Sequence, residues 1–182
     1  MGFDPDKHHR RSIRLAGYDY SQMGAYFVTV CAHDRRCLFG VVEDGAMRLN
    51  GLGEIVADEW AKTAEMRRRI SVDAFVVMPN HLHGILVIND CRGTLQRAPT
   101  TEQFGRPTSD SIPTIVRLFK SATTKRINQM RGMPGFPVWQ RNYFEHIIRD
   151  EAECGHARDY IEMNPARWAE DMENPNGTTK KQ

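Results

Sequence analysis

Residues 70–88 constrain the fold of this chain more than any other stretch. Ile70–Met78 and His81–Ile88 are two β-rich runs, and only Pro79–Asn80 separates them. Proline and asparagine in so short a gap read as a tight turn, so the two runs form a hairpin. Ala25–His33 is also β-rich and apolar on both faces, which predicts a buried strand. A short strand around Ala46–Leu49 follows the turn at Asp44–Gly45, and Asn50 can cap the helix after it. In that helix Ile55, Val56, Trp60 and Ala64 recur at helical spacing. A basic amphipathic helix is expected from about Pro113 to Met130, with Ile115, Leu118, Phe119, Ala122 and Ile127 as its apolar set. The GMPGFP stretch breaks it, and VWQRNYFEHII is short and partly β-like. A last helix, Glu151–Met163, stops at Asn164–Pro165 because proline cannot continue it. The expected fold is α+β: a central antiparallel sheet with helices packed on one face and a ferredoxin-like core.

At 182 residues, 26% of them charged and 40% hydrophobic, the chain fits one soluble globular domain. Residues 1–24 read as a basic arm, 25–172 as the domain, 89–111 as an exposed loop inside it and 173–182 as a disordered tail. Nothing approaches the roughly 20 apolar residues of a membrane span, nor a signal peptide. The four cysteines form no C-x-x-C pair, so free thiols in a reducing, cytoplasmic setting are expected. The net charge of +2 does not by itself announce a polyanion partner, but its distribution is uneven. Residues 112–131 hold Arg117, Lys120, Lys125, Arg126 and Arg131 with no acidic residue, and the amino-terminal segment adds Lys7, Arg10, Arg11 and Arg14. Such segments are either solvated surfaces or contacts for a phosphate backbone.

The local chemistry is sharpest at Pro79-Asn80-His81-Leu82-His83-Gly84. Residues two apart on a strand share a face, so His81 and His83 stand side by side and Leu82 points away. Two imidazoles so placed can hold one divalent cation, which removes the cost of burying unpartnered polar rings. The same pattern also arises by chance and in unrelated hydrolases. Tyr160 and Asn164 are neighbours on one helical face, a phenol beside an amide oxygen. Taken alone, a tyrosine near a helix end is more often a packing residue. Val138–Phe144 is aromatic and basic, suited to stacking on unpaired bases through Trp139, Arg141 and Tyr143, or equally to forming a satellite hydrophobic cluster.

In order and spacing, YFVTVCAHDRRCLFG, VVMPNHLHGIL, FKSATTKRI, VWQRNYFEHIIRDE and YIEMNP resemble the HUH-type single-tyrosine transposases, most closely the REP-associated tyrosine transposases. The resemblance spans roughly residues 12–168. It implies that His81 and His83 bind Mg²⁺ or Mn²⁺ and that Tyr160 attacks DNA, leaving a 5′-phosphotyrosine link. Asn164 falls where relatives carry a polar third metal ligand, often glutamine; asparagine is shorter. The implied partner is single-stranded DNA carrying hairpins, handled by a monomer or homodimer, with no membrane. Phosphate contacts are expected from Arg10, Arg11 and Arg14 on the arm and from Arg117, Lys120, Lys125 and Arg126 on the basic helix. The rival reading is a non-catalytic hairpin-DNA-binding protein derived from a transposase. A barrel hydrolase needs a longer chain with alternating strands and helices. A phosphoesterase with paired H-x-T/S motifs is excluded, because neither H-x-T nor H-x-S occurs.

Overall fold

The computed structural model describes residues 18–89 and 110–177. In chain order its elements are β1 (Gly24–Cys31), β2 (Gly40–Glu43), β3 (Ala46–Leu49), α1 (Gly51–Glu65), β4 (Ile70–Val77), β5 (His81–Ile88), α2 (Ile112–Arg131), β6 (Phe144–Ile148) and α3 (Glu151–Met163), with short 3-10 turns at His33–Arg35 and Trp168–Glu170. Strands β4, β5, β1 and β6 lie in that order in one sheet, and every neighbouring pair is antiparallel. Without β2 and β3, which form a separate hairpin, the order is that of a ferredoxin-like β-α-β-β-α-β unit. The sheet and class are those expected from the sequence.

The local signals act where the sequence put them. The Asn50 side chain accepts hydrogen bonds from the amides of Leu52 and Gly53 and starts α1, while Ser111 caps α2 and Asp150 caps α3. Gly132 ends α2 in the left-handed conformation that glycine adopts without penalty. The amide of Met78 donates to the carbonyl of His81 and closes the β4–β5 hairpin around Pro79–Asn80.

Strand parity assigns each face its task. Tyr26, Val28 and Val30 of β1 and Leu82, Leu86 and Ile88 of β5 share a core with Val56 and Trp60 of α1 and with Ile115, Phe119 and Ile127 of α2. Each fully buried side chain of this size contributes roughly 1.5–3 kcal/mol. Gly84 lets β5 approach α1 closely in that core, because a Cβ there would lie 2.6 Å from the Trp60 ring. A β-bulge between Val72 and Phe75 absorbs an odd residue, so both still face the same core. On the opposite face Phe27, Ala74, Val76 and Ile85 pack on Cys154, Ala157 and Ile161 of α3.

The expected single helical layer therefore holds for α1 and α2, while α3 covers the other face. The parity of His81 and His83 explains the difference. They point away from Leu82 and the main core, so only a helix on the second face can reach them. The described part of the expected arm is also integral, since Tyr20 is buried and Tyr18 packs edge-on against it. Residues 171–177 are held by turn hydrogen bonds such as Asn174 to Asp171 and Gly177 to Asn174, so the ordered chain runs past the expected boundary at 172. The rest of the arm, loop residues 90–109 and tail residues 178–182 lie outside the described residues. No helix among the described residues is long and apolar enough to cross a membrane.

Candidate active site

His81 and His83 lie side by side on β5, opposite Cys31 and Thr29 of β1, with ring centroids 4.4 Å apart. Both are buried, and neighbouring polar groups fix how their rings point. The Asn80 amide nitrogen donates to two backbone carbonyls, those of Arg35 (3.0 Å) and Glu173 (2.6 Å). Carbonyls only accept, so this orientation is unambiguous and leaves the Asn80 side-chain oxygen facing His81 Nδ1 at 2.9 Å. His81 Nδ1 must then carry the proton, and Nε2 is left as a bare lone pair. His83 Nδ1 is hydrogen-bonded to Thr29 Oγ1 at 2.8 Å, which likewise turns its Nε2 inward. The Phe27 ring stacks on His83 at 5.4 Å and holds its plane.

Three elements close the site. Helix α3 brings the Tyr160 hydroxyl to 3.5 Å from His83 Nε2. The Tyr160 ring meets both His83 and Phe27 edge-on and is 45% exposed, so the hydroxyl is reachable from solvent. Asn164, one helical turn on, is buried, and its side chain hydrogen-bonds the Tyr160 hydroxyl while its Oδ1 has no partner. The chain after α3 then folds back so that Asp171 Oδ2 lies 3.7 Å from His81 Nε2. This return is pinned by Arg35, whose guanidinium bonds the Met172 carbonyl and the Glu173 carboxylate, and by the Asn80–Glu173 bond. Asp34 and Arg35 both hold positive φ near 54°, a strained backbone for residues other than glycine, and the strain aims Arg35 at this segment.

Electrostatics describe a site built around bare acceptors. Burial drives the pKa of His81 and of His83 down to about 3, Arg35 adding to the first and His81 to the second, so both rings are neutral at pH 7. Burial also raises Tyr160, with Asp171 reinforcing it, and the Asn164 hydrogen bond works in the opposite direction. His81 Nε2, Asn164 Oδ1 and Asp171 Oδ2 are all buried and without hydrogen-bond partners. Orphaned groups of this kind cost about 1–3 kcal/mol each unless something fills the gap. His81, His83 and Asp171 each offer a ligand atom, all within 4.8 Å of one another. Two imidazoles and a carboxylate converging on one point fit a divalent cation.

The sequence therefore brought His81, His83, Tyr160 and Asn164 to one place, and missed Asp171, Asn80 and Thr29. Asp171 lies 88 residues after His83 in a polar stretch with no motif of its own. Asn80 carries a turn signal in the sequence, and an amide immediately before a candidate ligand is the further signal it offers.

The expected DNA contacts fare unevenly. Trp139 is 7% exposed and packs on Phe39 and Phe119, with its Nε1 donating to Thr123 Oγ1 at 2.7 Å. It belongs to the core, which corrects the stacking role, because the bridge between Ala32 and Trp139 turns the ring inward. Arg126 is paired with Asp58 and Glu59 and ties α2 to α1. Lys120 is turned under residues 140–142, where it donates to three carbonyls; burial lowers its pKa to about 8. Tyr143 donates to Glu145 at 2.5 Å and lines a cleft of about 690 Å³ beside Tyr160. Arg117, Lys125 and Arg141 are exposed, and Arg10, Arg11 and Arg14 lie outside the described residues.

A ferredoxin-like sheet carrying a His-x-His pair, with a phenol delivered from α3, is the arrangement that the sequence resemblance to single-tyrosine transposases implies. The chain is similar in sequence and in fold to REP-associated tyrosine transposases. It is 44% identical over 171 residues to an uncharacterized protein of Haemophilus influenzae, covering 91% of this chain and 93% of that one. It is also 25% identical over 151 residues to a putative REP-associated tyrosine transposase of the same organism, covering 82% of this chain and 74% of that protein. A solved REP-associated tyrosine transposase bound to a REP hairpin shares the fold, with a TM-score of 0.56 at 21% identity over 87% of this chain and 74% of the other. A scan against protein-family models gave no match.

Proposed function

We propose that this protein is a metal-dependent endonuclease and strand transferase acting on single-stranded DNA beside hairpins, with Tyr160 as its nucleophile. One observation carries the reading: the Tyr160 hydroxyl lies 3.5 Å from His83 Nε2, beside the unpartnered Nε2 of the adjacent His81, in a site open to solvent on the tyrosine side. A packing tyrosine has no reason to sit 3.5 Å from a buried imidazole nitrogen at the mouth of a cleft. The hairpin as partner is supported by the solved relative, which holds one.

His81, His83 and Asp171 would hold the cation, and Asn164 is oriented to assist at the tyrosine side. Two imidazole ligands favour Mn²⁺ over Mg²⁺, whose preference is for oxygen. When bound, the ion supplies positive charge that stabilises the phosphate as its negative charge grows. The chain's own groups do the rest. The Tyr160 oxygen forms a bond to phosphorus as the bond to the 3′-oxygen breaks; the phenol loses its proton and the departing oxygen gains one. Asn164 stabilises the phenolate oxygen through its hydrogen bond. The remaining 5′-phosphotyrosine conserves the energy of the broken phosphodiester, so a second 3′-hydroxyl can displace Tyr160 and reseal the strand.

The test incubates the protein with Mn²⁺ and a labelled hairpin carrying single-stranded flanks. A covalent protein–DNA adduct that disappears in Tyr160→Phe supports the proposal. Tight hairpin binding without an adduct at any flank sequence supports a binding protein derived from a transposase.

A further inference from the structure

A second groove, of about 850 Å³, lies on the helical side of the sheet, between the exposed face of α2 and the strap 132–141 that leads to β6. Arg117, Lys125 and Arg141 border it, and no aspartate or glutamate is among its walls. All three are exposed, and none has an ion-pair partner among the described residues. Arg126, one residue further round the helix, shows the contrast, because Asp58 and Glu59 neutralise it.

Spacing and wall chemistry indicate what such a groove can hold. Arg117, Ser121 and Lys125 recur every four residues and so share one face of α2. Arg117 and Lys125 are ~12 Å apart along the axis at ~1.5 Å per residue. Phosphates along one strand of a duplex advance about 3.4 Å per step, so the pair spans three to four of them.

The groove offers no free aromatic face for a splayed base. Trp139 in its floor is buried, and Phe136 is covered by the guanidinium groups of Arg36 and Arg131 at 5.9 and 5.5 Å. The cleft on the other face is the opposite case. There Phe144 is 53% exposed and shares the wall with Tyr143, His146, His156 and Tyr160. Aromatic walls suit unpaired bases, and a cationic wall without them suits a backbone whose bases are already paired. Gln140 lines both spaces, and Lys120 fixes the strap between them by bonding the carbonyls of residues 140–142.

We propose that the α2–strap groove seats the paired stem of a DNA hairpin through its phosphates, while the aromatic cleft takes the unpaired strand that continues from it. This rests on the hairpin-DNA reading above and adds a place for each part of the substrate. Such a seat positions DNA without reading its sequence, so any sequence requirement falls on the unpaired segment in the cleft.

The test compares a blunt DNA hairpin lacking single-stranded extensions with an unstructured strand of equal length. Binding is followed by fluorescence anisotropy between 50 and 200 mM salt for the full chain and for Arg117→Gln/Lys125→Gln/Arg141→Gln. All three positions are exposed, so the triple variant is expected to melt with the native protein. The expected result is weaker hairpin binding, with a slope of log affinity against log salt shallower by about 2.7, from about 0.9 per lost phosphate contact. Binding of the unstructured strand stays within twofold. An unchanged hairpin slope, or an equal loss on both ligands, overturns the proposal. Absence of the Tyr160 adduct in the native protein would instead count against strand cleavage and leave this result standing.

Discussion

Asn80 offers the sharpest test of how the site is built. Its side chain makes three contacts: it accepts from His81 Nδ1 and donates to the carbonyls of Arg35 and Glu173. Asn80→Ala removes all three. The His81 ring then loses the partner that fixes its tautomer, and the segment bearing Asp171 loses one of its two anchors. Removing an outer partner of a metal-bound histidine costs about 10–100-fold in affinity, or about 1.4–2.7 kcal/mol. Separately, the buried His81 N–H and two carbonyls are left unpaired at about 1–3 kcal/mol each. Some relaxation is expected, so the fold should lose about 2–4 kcal/mol in total. Asn80→Asp separates the effects, because it keeps an acceptor for His81 but cannot donate to the carbonyls. Mn²⁺ binding would be followed by the loss of the free-ion electron paramagnetic resonance signal, alongside urea unfolding with and without Mn²⁺. We expect Asn80→Ala to weaken Mn²⁺ at least tenfold and Asn80→Asp to retain more of the affinity. An Mn²⁺ affinity within twofold of the native protein, in an Asn80→Ala variant whose stability has fallen, would refute the reasoning.

Four further outcomes follow from the same structure. Asp171→Asn removes the carboxylate but little volume, and should weaken Mn²⁺ binding tenfold or more in the same titration; unchanged affinity would exclude Asp171 as a ligand. Gly84→Ala puts a methyl group 2.6 Å from the Trp60 ring and should destabilise the protein by about 1–3 kcal/mol in urea; an unchanged midpoint would contradict the close packing. In the metal-free protein, His81 and His83 titrate near pH 3 when folded and near pH 6.5 when unfolded. The unfolded chain therefore binds more protons between those values, so stability is whole above pH 6.5 and falls as pH drops towards 3. A His81→Gln/His83→Gln variant should lose less over that window, and an identical profile would contradict the assignment. Lys120→Met releases the carbonyls of residues 140–142 and should raise amide hydrogen exchange in residues 138–143 measured by mass spectrometry; equal protection would show that the strap is held otherwise.

The fold was legible where neighbouring residues carry the signal. Pro79–Asn80 set the hairpin, Asn50 set the start of α1, and Asn164–Pro165 set the end of α3. The alternation of His81, Leu82 and His83 even gave the face on which the site had to form. It also implies that the helix carrying Tyr160 lies away from the main core. Asp171 was not legible because its place depends on a tertiary clamp, Arg35 and Asn80 holding residues 171–173 across the end of the sheet. Side-chain direction was the other gap. Composition identified Trp139, Lys120 and Arg126 as aromatic or basic, but not that Trp139 faces Thr123, that Lys120 faces the strap or that Arg126 faces Asp58. Arg117 and Lys125 lie on the same helix and remain exposed, so the basic stretch divides between holding the fold together and presenting charge.

The central claim is that two imidazoles, a carboxylate and a phenol meet at one cation. Crystals grown with Mn²⁺, measured at a wavelength where manganese scatters anomalously, test it most directly. The claim predicts a single strong peak in contact with His81 Nε2, His83 Nε2 and the Asp171 carboxylate, with the Tyr160 hydroxyl facing it. Manganese bound elsewhere, or a peak between the histidines with both Asp171 and Tyr160 turned away, would contradict it.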